Sequence, residues 1–221
     1  MKKGIIPFVI LTSLLASCGQ QERDITEAKT EISNVDVYVD IVPQNAQKDQ
    51  NGNINIDSIH VGTYKENEIP DNASIRQKAL ENFGSQGVQA QQIGFVELCT
   101  RTVDWPHISR TQVVRGQVIV KGTITCPPTP NFSYSANATM TLQKTSNTII
   151  PFFQDISSNR VNLTTSRVNT VTVPDYKYFA YASCVNGLYR GKSDIIYYNA
   201  PQGPIVATAK YGGENTISGC S

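Results

Sequence analysis

Phe132-Ser-Tyr-Ser-Ala-Asn-Ala-Thr-Met-Thr-Leu142 alternates apolar and small polar residues without a break. A period of two puts Phe132, Tyr134, Ala136, Ala138, Met140 and Leu142 on one face, the pattern of a strand with one buried side. The same reading extends outward in both directions. Gln112 to Cys126 sets Val118, Val120, Ile124 and Cys126 on one face, and Val161 to Val173 is rich in Thr and Val. Tyr176 to Val185 runs through Asn186-Gly187 into Leu188-Tyr189-Arg190, and the Asn-Gly pair predicts a hairpin with a type I′ turn. Asp194 to Asn199 and Ile205 to Tyr211 flank Ala200-Pro-Gln-Gly-Pro204, whose prolines do not fit a central strand. Roughly seven or eight strands, with turns every eight to twelve residues or so, predict a mainly β fold, an Ig-like antiparallel β-sandwich, over residues 95–221.

Upstream the pattern is mixed. Asn34 to Val42 alternates, and after Asn51-Gly52 a second β-like run carries Ile54, Ile56, Ile59 and Val61, so a hairpin with a long loop is expected. Pro70-Asp71-Asn72 then opens a helix with Ile75, Ala79, Leu80 and Phe83 on one face and Gly84 past its end, about eleven residues long. From Val88 to Thr102 the chain turns β-like again. Residues 35–94 are read as a small α+β region before the sandwich, with the boundary near residue 95.

Composition narrows the function. The 221 residues carry 19 Lys and Arg against 18 Asp and Glu, a balance that excludes a nucleic-acid clamp held by charge. With 39% apolar and 17% charged residues the chain is not wholly disordered.

The start of the chain has its own logic. Lys2 and Lys3 precede an apolar stretch from Ile5 to Leu15, too short to span a bilayer, and small residues follow, so residues 1–17 read as a signal peptide. Leu15-Ala16-Ser17-Cys18 resembles the lipobox of bacterial lipoproteins. The resemblance implies a diacylglyceryl thioether on Cys18, cleavage before it, and acylation of the new amino terminus. Gly19, in place of an Asp, implies the outer membrane if the cell is Gram-negative. Acyl chains contribute about 0.8 kcal/mol per buried methylene, enough for two or three of them to hold the protein on the membrane without spanning it. Residues 18–34 are polar and read as a tether.

With Cys18 assigned to lipid, Cys99, Cys126, Cys184 and Cys220 form an even set in an exported chain. Such a set allows three connectivities. Sequential pairing, Cys99 with Cys126 and Cys184 with Cys220, is favoured because each pair brackets a turn-containing β-like stretch. No C-x-x-C or C-x-x-H spacing supports zinc, and His60 and His107 lack a partner at ligand spacing, so no metal or cofactor is expected. G-x-S-x-G, P-loop and H-E-x-x-H patterns do not occur.

Asp104-Trp105-Pro106-His107-Ile108-Ser109 is the densest cluster of distinctive residues, holding the only Trp. Trp105 and His107, beside Arg101 or Arg110, would suit a partner or sugar contact, whereas a core-filling Trp and a turn-shaping Trp-Pro are the structural alternative. Ser109, His107 and Asp104 sit too close in sequence to assemble a triad on a regular strand. Tyrosines crowd the last third, with Tyr189 and Arg190 on the expected hairpin, a composition that suits recognition and suits cross-strand pairing better. Cys99-Thr-Arg-Thr, Trp105-Pro-His-Ile-Ser and Cys184-Val-Asn-Gly-Leu-Tyr-Arg-Gly are together similar to small exported bacterial β-domains, a resemblance over about residues 95–221 that implies no activity.

The expected function is a lipid-anchored extracytoplasmic binding or structural module of a bacterial envelope, with Trp105, His107, Tyr189 and Arg190 as contact residues. Its partners would be the membrane and an envelope protein or glycan, not nucleic acid. The alternatives are an envelope enzyme acting on glycan or peptide through carboxylates such as Asp104 or Glu97, and an immunity or inhibitor lipoprotein.

Overall fold

The computed structural model describes residues 33–43, 45–85, 95–126, 135–145, 149–164, 176–198 and 203–220. The signal segment, Cys18, the tether up to residue 32, and Phe132 and Tyr134 of the alternating stretch lie outside them.

Among the described residues the strands are β1 (Asn34–Pro43), β2 (Ile54–Ile56), β3 (Ile59–Lys65), β4 (Phe95–Asp104), β5 (His107–Ile108), β6 (Gln117–Thr125), β7 (Ser135–Thr145), β8 (Gln154–Thr164), β9 (Tyr176–Ser183), β10 (Gly187–Tyr198), β11 (Ile205–Tyr211) and β12 (Asn215–Ile217), with one α-helix, α1 (Asn72–Ser85). They build two six-stranded sheets. The first runs β3-β1-β4-β6-β5 with β9 also on β6, and the second runs β2-β11-β10-β7-β8 with β12 also on β10. The pairing is antiparallel throughout except between β2 and β11.

The alternation read from residues 132–142 is realised in β7. Ala136, Ala138, Met140 and Leu142 are buried in a core shared with Val118, Val120 and Ile124 of the first sheet, so the molecule is a β-sandwich. A second, smaller core lies on the outer face of the first sheet, where α1 sets Ile75 and Ala79 against Val37, Val39, Ile41, Ile59 and Val61. Asp71 caps α1, its Oδ1 accepting the backbone N–H groups of Ala73 at 2.9 Å and Ser74 at 3.0 Å. That helix spans 14 residues against the expected eleven or so, because it runs on through Gly84.

Both disulfides are sequential, Cys99–Cys126 and Cys184–Cys220, with sequence separations of 27 and 36. In the chain-entropy account, loops of that length remove about 3.5 to 4 kcal/mol each from the unfolded ensemble. Cystines of this kind belong to an oxidising, extracytoplasmic compartment.

Two expectations give way, in whole or in part, to longer-range pairing. The Asn186-Gly187 stretch is not a hairpin: β9 pairs with β6 in one sheet and β10 with β7 in the other, so the connection crosses the end of the sandwich. It is held there by the Cys184–Cys220 bridge and by Asn186 Oδ1, which accepts the Cys220 N–H at 3.0 Å. The expected long-loop hairpin forms between β1 and β3, but the run from Ile54 to Val61 divides, with Ile54–Ile56 joining β11 in the second sheet. Strand β1 lies between β3 and β4, so segment 35–94 contributes strands to both sheets, and Ile32–Ser221 form one compact unit.

Candidate functional site

The Asp104–Ser109 segment forms a corner. Strand β4 ends at Asp104, and the chain bends through Trp105-Pro106 into β5, which takes over pairing with the first half of β6. In the opposite sheet β11 bends through Gly212-Gly213 into β12 in the same manner along β10. Trp105 packs on Gly213, where a Cβ would fall inside the contact distance of the indole ring. Asp36 joins the two bends: Oδ2 accepts Trp105 Nε1–H at 3.0 Å and the Gly213 N–H at 2.9 Å, while Oδ1 accepts Thr63 Oγ1–H at 2.5 Å and faces His60 Nε2 at 3.3 Å. His107 Nδ1 lies 3.1 Å from Trp105 O, and Ser109 Oγ pairs with Thr111 Oγ1 at 2.9 Å. Trp105 and His107 are therefore built into this corner. Asp104 is buried on the outer face of the first sheet; desolvation, and behind it the Glu66 carboxylate, push its pKa up to about 7 despite Lys121 nearby.

Arg101, expected beside Trp105, is instead fully buried between the sheets. Its Nη2 donates to Asp40 Oδ1 at 3.1 Å, Ser58 Oγ at 2.5 Å and Thr208 O at 3.3 Å, and its Nη1 to Ser193 O at 3.0 Å. Asp40 also accepts Tyr197 O–H, and Tyr178 O–H pairs with Ser193 Oγ at 2.6 Å. The register of β10 against β11 breaks just after Ser193, so two of these carbonyls come from irregular backbone. Burial pulls the guanidinium pKa down, but Asp40 and the two tyrosines outweigh it and leave it above its ordinary value. This closed cluster ties one sheet to the other.

Tyr189 and Arg190 separate across the second sheet. Tyr189 is 0% exposed and its hydroxyl donates to Val185 O at 2.5 Å, so it belongs to the core and offers no contact surface. Arg190 faces outward. Its guanidinium carbon lies 4.0 Å from the centre of the Phe153 ring and 4.3 Å from that of Tyr211. Its Nε donates to Gln143 Oε1 at 2.7 Å, and Gln143 Nε2 donates to Asp155 Oδ1 at 2.5 Å. Strand pairing explains the row, since Arg190 stands opposite Gln143 and Gln143 opposite Asp155. In the next row Lys192 stands opposite Tyr211, with Nζ 3.2 Å from Asp194 Oδ2. Burial lowers the Lys192 pKa, but Asp194, with Asp155 and Tyr211, raises it above the ordinary value, so the cation stays charged.

This face presents a planar cation held on a rigid strand by two rings and one amide, with Tyr211 exposed beside it. Arg190 was legible as a candidate. Phe153 and Gln143 were not, because each sits in a separate stretch and only strand pairing brings it to Arg190.

Among the described residues no group of His, Cys, Asp and Glu is arranged to hold a metal ion, and no helix is long and apolar enough to cross a membrane. The chain matches no family model, no curated protein and no solved structure.

Proposed function

We propose that the chain is a lipid-anchored, extracytoplasmic binding module of a bacterial envelope, tethered through Cys18 and engaging an envelope protein through the Arg190 face. The lipobox-like Leu15-Ala16-Ser17-Cys18 supports the anchor, and the two disulfides support the compartment.

The observation that carries the binding assignment is the guanidinium of Arg190 flanked by Phe153 and Tyr211. Contact with both rings and the bond from Nε to Gln143 restrain the guanidinium and leave its Nη edge for a carboxylate or carbonyl oxygen. Little side-chain entropy remains to be lost on association. Arginine with tyrosine and other aromatics is also the composition of energetic centres in protein interfaces. A partner protein bearing an Asp or Glu would be held by a two-pronged hydrogen bond to Arg190 and by contact with the Tyr211 ring.

The test is a photoreactive residue at exposed Ser158, which stands opposite Thr141 on this face, in the acylated protein of living cells. A single envelope protein captured there supports the reading. Capture of glycan alone, or of nothing, removes it.

A further inference from the structure

The polypeptide enters the fold at Asn34, and strand pairing determines which loops share that end. Strand β4 finishes there, with Asp104 opposite Val35. Strand β6 begins there and β9 ends there, with Gln117 opposite Ser183. After Cys184–Asn186 the chain starts β10 at the same end; Leu188 stands opposite Thr145 at the close of β7, and Lys144 opposite Gln154 at the start of β8. The β5–β6, β7–β8 and β9–β10 connections therefore all project from the end where the tether arrives.

Those three connections carry the five most exposed large apolar side chains among the described residues. Val113 is 93% exposed on the first, Ile149, Ile150 and Phe152 are 89%, 75% and 75% exposed on the second, and Val185 is 52% exposed on the third. The same segments, residues 109–117, 144–153 and 183–190, contain Arg110, Arg115, Lys144 and Arg190 and not one Asp or Glu. Carboxylates do occur at this end, Glu66, Glu68 and Glu214 on other connections, Asp36 and Asp104 on β1 and β4, and Asp155 on β8 just past Phe153, where it accepts from Gln143. The Cys184–Cys220 bridge fastens one of the three loops to the last residues of the fold. Loops that carry exposed apolar side chains and cations but no carboxylate of their own match a bilayer, whose headgroup layer is negative and whose interior is hydrocarbon.

Tether length brings that bilayer within reach. Asn34 follows Cys18 by sixteen positions, so at full extension the chain places it no more than about 55 Å from the anchored residue. We infer that this end of the sandwich is a membrane-docking surface: Val113, Ile149, Ile150, Phe152 and Val185 seat among the lipid headgroups while Arg110 and Arg115 meet lipid phosphates. The inference rests on the reading of Cys18 as acylated, because that anchor is what places the membrane beside Asn34.

The test introduces a photoreactive residue singly at Val113, at Phe152 and at Asn51, which is exposed in the turn before β2 and lies at the far end, in the full chain in living cells. Lipid adducts are quantified at each position, and the Cys18 peptide is weighed in the same sample. Lipid adducts at Val113 and Phe152 at least tenfold above those at Asn51 are expected. Acylated Cys18 with no excess of adducts at the loops overturns the docking surface and leaves the anchor intact. Unmodified Cys18 with no adducts overturns both, and unmodified Cys18 with loop adducts removes the anchor while the docking surface stands.

Discussion

Trp105 donates its indole N–H to Asp36 Oδ2 at 3.0 Å, and the same oxygen takes the backbone N–H of Gly213 at 2.9 Å. One carboxylate thus locks together the two places where strands of opposite sheets break and are replaced by their successors. Removing it leaves the indole and the Gly213 N–H without this acceptor in a part-buried corner. Asp36→Ala is expected to lose about 2 to 6 kcal/mol of stability, at about 1 to 3 kcal/mol for each of the two orphaned donors. Gly213→Ala, which drives a methyl into the indole, is expected to lose about 1 to 3 kcal/mol. Urea unfolding followed through Trp105, the single tryptophan, measures both. Unchanged midpoints would show that the corner is not a structural lock.

The buried Arg101–Asp40 pair predicts a non-additive result. Arg101→Met or Asp40→Leu alone strands a charge inside the sandwich and is expected to lose about 3 to 5 kcal/mol. The double variant removes both charges and is expected to be more stable than the worse single one, which a double-mutant cycle in urea reads directly. Additive losses would mean that the two residues do not act as a pair.

Asp104 predicts a pH dependence. Its folded pKa of about 7 lies above the unfolded value of 3.8, so from about pH 4 to about pH 7 the unfolded chain releases a proton that the folded one retains. Its contribution to stability therefore falls as the pH rises through that window and levels off above it. The slope is on the order of 1.4 kcal/mol per pH unit at most. Asp104→Asn carries no such loss, so the variant should gain on the native protein as the pH rises from 4 to 7. Parallel stability curves for the two proteins would contradict the burial assigned to Asp104.

What the sequence showed and what it concealed divide by distance along the chain. The period of two in β7, the Asp71 cap of α1 and the bracketing cysteines are local signals, and each is realised. Asn186-Gly187 misled because turn chemistry is local whereas sheet membership is not; β9 had an open edge on β6, and β10 became a central strand of the other sheet. Arg101 and Tyr189 misled in complementary ways. An arginine is ordinarily taken for surface, yet this one is buried by partners on β1, β10 and β11; a tyrosine beside an arginine looked like a contact pair, yet strand alternation sends the two to opposite faces. Trp105 sits half-buried at the corner, its N–H accepted by Asp36, 69 residues earlier, a partner no local signal could indicate.

The central claim is that Arg190, set by Phe153 and Tyr211, is the contact point for an envelope protein. The most direct measurement is the yield of the partner captured through Ser158 in living cells, compared between the native protein, Arg190→Lys and Arg190→Ala. Lysine keeps the charge but loses the planar fork, so capture should fall at least tenfold in both variants, while expression and Trp105 fluorescence stay unchanged. Full capture by Arg190→Ala would contradict the assignment of this face as the binding surface.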